Sequence, residues 1–173
     1  VLALPGVPVF LWHLVLVARR AERRQIGVEI VASGVLALAA PAAFWIGRGE
    51  QDPMGWWLWA LTWFQSAASI VYAALRLEQR LWKTLPPVPQ RLRVAARALA
   101  YTGFNLAAVI ALAWRGVLPA WLPLPYALQA AETLYGSLRP AAGLKPTRIG
   151  VRQLIVSTLF TLLFIVALSL IHI

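Results

Sequence analysis

The feature that most constrains this chain is an alternation of apolar stretches long enough to cross a membrane with short, strongly basic loops. Of the 16 Lys and Arg residues, all but Arg48 and Arg115 lie in three loops or in the helix ends beside them. The first loop holds Arg19, Arg20, Arg23 and Arg24, the second Arg76, Arg80, Lys83, Arg91, Arg93 and Arg97, and the third Arg139, Lys145, Arg148 and Arg152. Basic loops of bacterial membrane proteins stay in the cytoplasm. The pattern predicts a multi-pass protein of the bacterial inner membrane, with the basic loops cytoplasmic and the C-terminus outside.

The composition agrees with lipid as the main surrounding of the chain. Hydrophobic residues make up 61% and charged residues 13% of its 173 residues, more apolar surface than one soluble core of this size could bury. The net charge of +10 lies beside long apolar runs rather than on a polar face. We therefore expect the anionic inner leaflet as its partner and no nucleic acid. The absence of cysteine excludes disulfides and thiolate sites.

Hydrophobic segmentation predicts an all-α, polytopic transmembrane helix bundle with about six membrane segments, forming a single domain over residues 1–173. The predicted helices cover residues 5–18, 26–46, 54–75, 92–114, 126–138 and 149–171. Pro41 is expected to kink the second helix, and Asp52 with Pro53 to cap the third. The fifth is too short to cross alone, so residues 117–125 before it should lie in the outer interface or be buried against other helices.

Tryptophan supports this orientation independently. Six of the nine tryptophans map to the outer interface, as an aromatic belt would. They are Trp45, Trp56, Trp57, Trp59, Trp114 and Trp121.

Several ionisable residues fall within or at the ends of the predicted helices, near the cytoplasmic side. They are Glu29, Arg97, Glu132, Arg148 and Arg152. Charged groups at such depth are costly unless they are paired. One interpretation is ion pairing between helices that fixes their packing. The other is a site for the head group of a lipid or another anion, or a proton relay.

Other polar residues lie deeper and leave two interpretations open. Gln65, Asn105 and Gln129 could hydrogen-bond between helices, or could hold a polar ligand group such as a quinone carbonyl. His13 is a candidate ligand for the magnesium of a chlorophyll-type chlorin. His172, the only other histidine, is predicted at the opposite membrane face, which argues against bis-histidine haem. No cofactor is required, although a quinone, a chlorophyll-type pigment or a lipid could bind.

The sequence carries no recognisable catalytic motif. No two of its six acidic residues have the DxxD spacing that holds magnesium and diphosphate, and no Gly-rich phosphate loop or HExxH motif occurs. We therefore assign no catalytic residue and no metal ligand.

Two stretches are similar to a known family. WWLWALTWFQSAASIVYAALRLEQR (residues 56–80) and LKPTRIGVRQLIVS (residues 144–157) resemble the YwiC-like family of polytopic bacterial membrane proteins, which has no established activity. The resemblance runs from the second helix to the sixth and is closest around Lys145, Arg148 and Gly150. Family members often carry Glu where this chain has Gln153, so the resemblance implies no acid–base role there. The family usually begins with further helices and an Arg-Glu-His-Gly-type segment, so we expect the chain, which starts at Val1, to be part of a longer protein.

Two functional hypotheses follow. The first is a non-catalytic accessory subunit of a larger bioenergetic membrane complex, photosynthetic or respiratory, which packs against partner subunits and borders lipid, quinone or pigment. The second is a membrane enzyme or transporter for an isoprenoid or lipid substrate, resembling a prenyltransferase. This second hypothesis rests on the charged residues named above, which are predicted to lie near the cytoplasmic side.

Overall fold

A computed structural model describes residues 26–169, together with Pro8 and Leu11, and this part of the chain is helical with no strand. The helices are α1 (Ile26–Leu36), α2 (Ala39–Arg48), α3 (Met54–Gln79), α4 (Val88–Trp114), α5 (Pro123–Leu138) and α6 (Pro146–Ser169). The predicted all-α class is confirmed for these residues. The rest of the predicted first helix, His13, the first basic loop and His172 lie outside the described residues.

Four helical segments of the described residues are long and apolar enough to cross a membrane. They are Ile26–Arg48, which joins α1 and α2, and the helices Met54–Gln79, Val88–Trp114 and Pro146–Ser169. Their 23 to 27 residues correspond to about 35 to 40 Å, against a hydrocarbon core of about 30 Å. Four of the six predicted membrane segments are thus found as possible spans. Helix α5, with 16 residues, is too short, as predicted.

Proline explains why three helices begin earlier in the chain than the sequence predicted. Helix α4 begins at Val88 rather than residue 92, α5 at Pro123 rather than 126, and α6 at Pro146 rather than 149. Each of the three has a proline in its first turn, where the missing N–H costs nothing and the fixed φ angle favours the helix. The prolines therefore begin these helices instead of preceding them.

The N-terminus of α3 is capped as predicted. The backbone N–H of Met54 donates to Oδ1 of Asp52 over 2.7 Å, with Pro53 between them. The same residue holds the preceding turn, because its carbonyl oxygen accepts from Nε1 of Trp45 at 2.8 Å and its carboxylate lies 3.3 Å from Nη2 of Arg48. One acidic residue thus satisfies both sides of the α2–α3 turn.

The chain forms two compact units, residues 1–70 and 71–173, and we describe each by itself. In the first unit, the helix that Pro41 was expected to kink is interrupted and divided into α1 and α2. The break at Ala37 and Leu38 starts four residues before Pro41, where the proline ring opposes the helical position of the carbonyl group. The N–H of Leu38 bonds to Val35 instead of Gly34. The carbonyl of Gly34 therefore accepts the indole N–H of Trp59 at 2.8 Å.

A run of tryptophan rings follows this break along α3. Trp45 contacts Trp56 edge to face, and Trp59 stacks on Trp63 with 5.1 Å between ring centroids. The indole N–H of Trp63 donates to the carbonyl of Ile30 at 2.8 Å. A Cβ atom on Gly34 would lie 2.8 Å from the Trp63 ring, so glycine is required there for the close approach. The outer belt stays a prediction, since no membrane side is defined for these residues.

Replacing Trp59 by phenylalanine should destabilise the first unit by about 1 kcal/mol, the usual cost of leaving one part-buried acceptor unpaired. The ring stays apolar, but the carbonyl of Gly34 loses the donor that the helix break made necessary. Thermal unfolding in detergent measures the loss. Trp57→Phe is the matched control, because Trp57 is exposed on the same helix. Equal losses in the two variants would show that the Gly34 bond contributes nothing.

In the second unit, α5 has one buried face and one exposed face. It packs against α4 and α6, and one face of it is buried at helical spacing. That face contains Tyr126, Gln129, Glu132, Thr133, Gly136 and Ser137. The hydroxyls of Thr133 and Ser137 bond back to carbonyls one turn earlier, at 2.9 and 2.7 Å. In the preceding segment Leu118 and Leu122 are buried, as the burial alternative predicts, whereas Val117 and Trp121 are exposed.

Candidate functional site

The second unit contains an open groove of about 750 Å³ where α5 ends and α6 begins. Five cationic side chains and one carboxylate line it, together with an apolar wall on α6. The charged residues are Arg76, Glu132, Arg139, Lys145, Arg148 and Arg152, and the wall includes Ile149, Val151, Ile155 and Val156. We call this the basic groove.

The two helix ends are brought together by a short loop. Helix α5 ends at Leu138. In the loop, Gly143 has a φ angle of +70°, a backbone conformation that residues other than glycine rarely adopt. Its N–H bonds to the carbonyl of Arg80 at 3.2 Å, which ties the loop to the end of α3. Helix α6 then begins at Pro146, which places Lys145, Thr147 and Arg148 in the lining of the groove.

Arg76 forms the floor of the groove and is only 4% exposed. Its Nη1 donates to the carbonyl of Gly136 at 2.7 Å, to the carbonyl of Arg139 at 2.8 Å and to Oε1 of Gln79 at 2.9 Å. The last carbonyls of a helix lack intrahelical donors and carry partial negative charge. Arg76 thus caps the C-terminus of α5 from α3.

Glu132 and Arg152 form a bidentate ion pair beside this floor. Nε and Nη2 of Arg152 lie 2.6 and 2.7 Å from the two carboxylate oxygens. The hydroxyl of Tyr72 is 3.0 Å from Oε1 of Glu132 and 3.0 Å from its carbonyl oxygen. The guanidinium of Arg152 also lies 4.5 Å from the centre of the Tyr135 ring. Glu132 and Arg152 thus form an ion pair between α5 and α6, as the first interpretation predicted. Both residues also line the groove.

The groove contains three of the predicted site residues, Glu132, Arg148 and Arg152. Arg97 does not line it: its side chain is exposed on α4, 6.0 Å from the centre of the Tyr101 ring. Glu29 is exposed on α1 in the first unit. The predicted chlorin ligand His13 is outside the described residues.

The sequence did not identify Arg76, Arg139 and Lys145 as site residues: all three were counted toward orientation, and Lys145 also toward the family resemblance. A signal for Arg76 was present, because Tyr72, Arg76 and Gln79 recur at i, i+4 and i+7 on one face of α3, and all three are buried. Burial of such a polar stripe predicts a partner for it, here the end of α5.

The structure shows where the three deeper amide side chains lie. Asn105 and Gln129 are buried, and Nε2 of Gln65 donates to Oγ of Ser69 one turn later on α3 at 3.1 Å. Their predicted contact with a quinone stays a prediction. In residues 26–169, no three His, Asp or Glu side chains are grouped so as to hold a metal ion.

The groove combines two chemical characters. Glu132 neutralises Arg152, whereas Arg139, Lys145 and Arg148 are exposed at its rim. The apolar wall continues along α6 into exposed aliphatic side chains, namely Leu154, Leu159 and Leu162. A ligand with an acidic head and an apolar chain matches this arrangement.

Comparison with protein-family models, with curated proteins and with solved structures finds no match for this chain. The resemblance to the YwiC-like family therefore stays a prediction, and the function has to be argued from the groove itself.

Proposed function

We propose that this is an integral membrane protein that binds an anionic amphiphile, with the acid group in the basic groove and the apolar chain along α6. One observation carries the proposal. Within the described residues, the groove has five cations against a single carboxylate, and it opens onto exposed apolar side chains of a membrane-length helix. An anion in the groove would supply the missing negative charge.

The predicted orientation supports this ligand. The groove lies beside the third basic loop, which the positive-inside rule assigns to the cytoplasm. The cytoplasmic leaflet is the anionic one, and each nearby Lys or Arg contributes about 1 kcal/mol to attraction. An anionic lipid of that leaflet would reach the groove without leaving the membrane.

The groove differs from an ordinary basic loop at its floor, which is buried, whereas the cations at its rim are exposed. Loop cations attract any anionic surface while remaining hydrated. The buried lining residues include Arg76 at the floor and Ile149 in the apolar wall, which is 5% exposed. Charge-assisted hydrogen bonds are stronger where water is excluded. This favours one bound head group over diffuse attraction.

The double variant Lys145→Gln/Arg148→Gln should lower the affinity for anionic lipid about tenfold or more, because each substitution removes a charge-assisted hydrogen bond to the bound head group. Binding is measured by native mass spectrometry on protein taken from nanodiscs that contain phosphatidylglycerol. Lys83→Gln/Arg93→Gln is the matched control: it removes the same charge from exposed residues of the second basic loop that do not line the groove. Equal loss in both variants would contradict the proposal.

We also propose, from the sequence, that the protein acts as an accessory subunit whose bound lipid or quinone lies against a partner. Supporting this, α6 has the highest mean hydropathy of the four possible spans and the smallest buried share. Its outer face is thus available to lipid or to a partner subunit. Purification in mild detergent should yield a co-purifying membrane protein, and a lone monomer with neither partner nor pigment would contradict this role.

A further inference from the structure

Arg76 carries a buried positive charge for which the described residues provide no carboxylate within ion-pair distance. Its Nη1 donates hydrogen bonds to two carbonyls and one amide oxygen. Burying a charge is expensive unless an opposite charge compensates it. The helix end supplies only about half an elementary charge. The remainder faces the basic groove, because Arg76 lines it.

The charge of the whole groove indicates how much negative charge it can accept. Five cations and one carboxylate leave a side-chain charge of +4. A phosphate diester brings one negative charge, whereas a phosphate monoester brings about −1.5 to −2 near neutral pH. A singly charged head group would leave most of the repulsion among these cations in place. A monoester or diphosphate removes considerably more of it.

The arrangement of donors also matches a head with several terminal oxygens. Arg76 approaches from the floor, whereas Arg148 and Lys145 approach from the rim. Thr147 lies in the first turn of α6 and lines the same groove, at the positive end of the helix dipole. A monoester has three terminal oxygens for donors on different sides, and the planar guanidinium can bind two oxygens together.

We infer that the basic groove is selective for phosphate monoester or diphosphate groups over singly charged phosphate diesters, and that Arg76 is the residue that sets this preference. The inference rests on the anion-binding groove proposed above and names the ligand class of that groove. The phosphate could belong to a lipid or to a free phosphate compound, and the two sources share the same recognition chemistry.

The test compares two lipids in otherwise neutral nanodiscs of phosphatidylcholine. Phosphatidic acid presents a monoester and phosphatidylglycerol a diester. The intact protein should bind phosphatidic acid about tenfold more tightly, the usual scale of an added charged hydrogen bond. Inorganic pyrophosphate, added as a competitor, distinguishes the sources. Competition at concentrations similar to those of phosphatidic acid identifies a soluble phosphate as an equal ligand, and much weaker competition identifies the lipid.

Variants assign the preference to residues. Arg76→Lys keeps the charge of the groove but loses the guanidinium fork, so it should lower the preference several-fold while phosphatidylglycerol still binds. Arg76 also caps α5, so this variant could fail to fold. Thr147→Val is a second variant, and it should fold normally because Thr147 is exposed. It should weaken the binding of phosphatidic acid several-fold and that of phosphatidylglycerol less, so the preference falls.

The outcomes separate the two proposals. Equal binding of both lipids by the intact protein would overturn the monoester preference and leave the anion-binding groove standing. Binding of neither lipid would overturn the amphiphile proposal, and pyrophosphate binding alone would then keep the phosphate preference for a soluble ligand. An unchanged preference in a folded Arg76→Lys protein would remove Arg76 from the recognition.

Discussion

The substitution Gly136→Ala is expected to lower the free energy of unfolding by about 3 kcal/mol, a large loss for one added methyl group. A Cβ atom at this position would overlap the hydroxyl and ring of Tyr72. Tyr72 is 3% exposed, and its hydroxyl is bonded to Glu132, so the ring has no open space to enter. Helices α3 and α5 would have to separate, which also strains the bond from Arg76 to the carbonyl of Gly136.

Titration with a denaturing detergent measures this loss, and Gly103→Ala is the control. A Cβ atom on Gly103 meets nothing within 4 Å, and the residue is exposed inside α4. That variant should be neutral or gain up to about 1 kcal/mol from the higher helix propensity of alanine. If Gly136→Ala unfolds no more easily than Gly103→Ala, the close packing of Tyr72 against α5 is wrong.

The second large effect is expected at Glu132, with opposite consequences for stability and for binding. Glu132→Gln removes the carboxylate that accepts two bonds from Arg152 and lies against the Tyr72 hydroxyl. Breaking a buried pair costs about 3 to 5 kcal/mol. Because the side chain of Arg152 is 43% exposed, its charge can turn toward water or the groove, and we expect about 2 kcal/mol.

The same variant should bind anionic lipid more tightly, since Arg152 is released from its pair and the groove gains a positive charge. Unfolding and lipid binding are measured on one preparation. Glu78→Gln gives the same charge change at an exposed position of α3 outside the groove and should alter neither quantity. Weaker lipid binding by Glu132→Gln would show that Arg152 has to be held by Glu132 to take part.

Much of the fold could be predicted from the sequence, because lipid imposes a simple length rule on apolar helices. The four possible spans, the short α5 and the break before Pro41 all follow from segment length and proline chemistry. The late helix starts have one cause. Proline disfavours a helix interior but suits a first turn, and a single sequence does not show which position it occupies.

The site was less predictable, and Arg76 shows why. An arginine at the end of a membrane helix usually extends into the water or head groups. Arg76 turns inward only because the carbonyls at the end of α5 lie beside it, and this proximity depends on tertiary packing. Glu132 and Arg152 could be proposed because a charge at membrane depth needs a partner wherever it lies. Their exact pairing required the packing of α5 against α6.

The central claim is that the basic groove holds the acid group of an amphiphile, and photo-crosslinking tests it most directly. The protein is placed in nanodiscs containing an anionic lipid with a photoreactive group beside the phosphate, and the labelled peptides are identified by mass spectrometry. We predict that the label is concentrated in residues 139–156 and is largely lost in Lys145→Gln/Arg148→Gln but retained in Lys83→Gln/Arg93→Gln. A label spread evenly over the lipid-facing helices, and unchanged by the groove substitutions, would contradict the account.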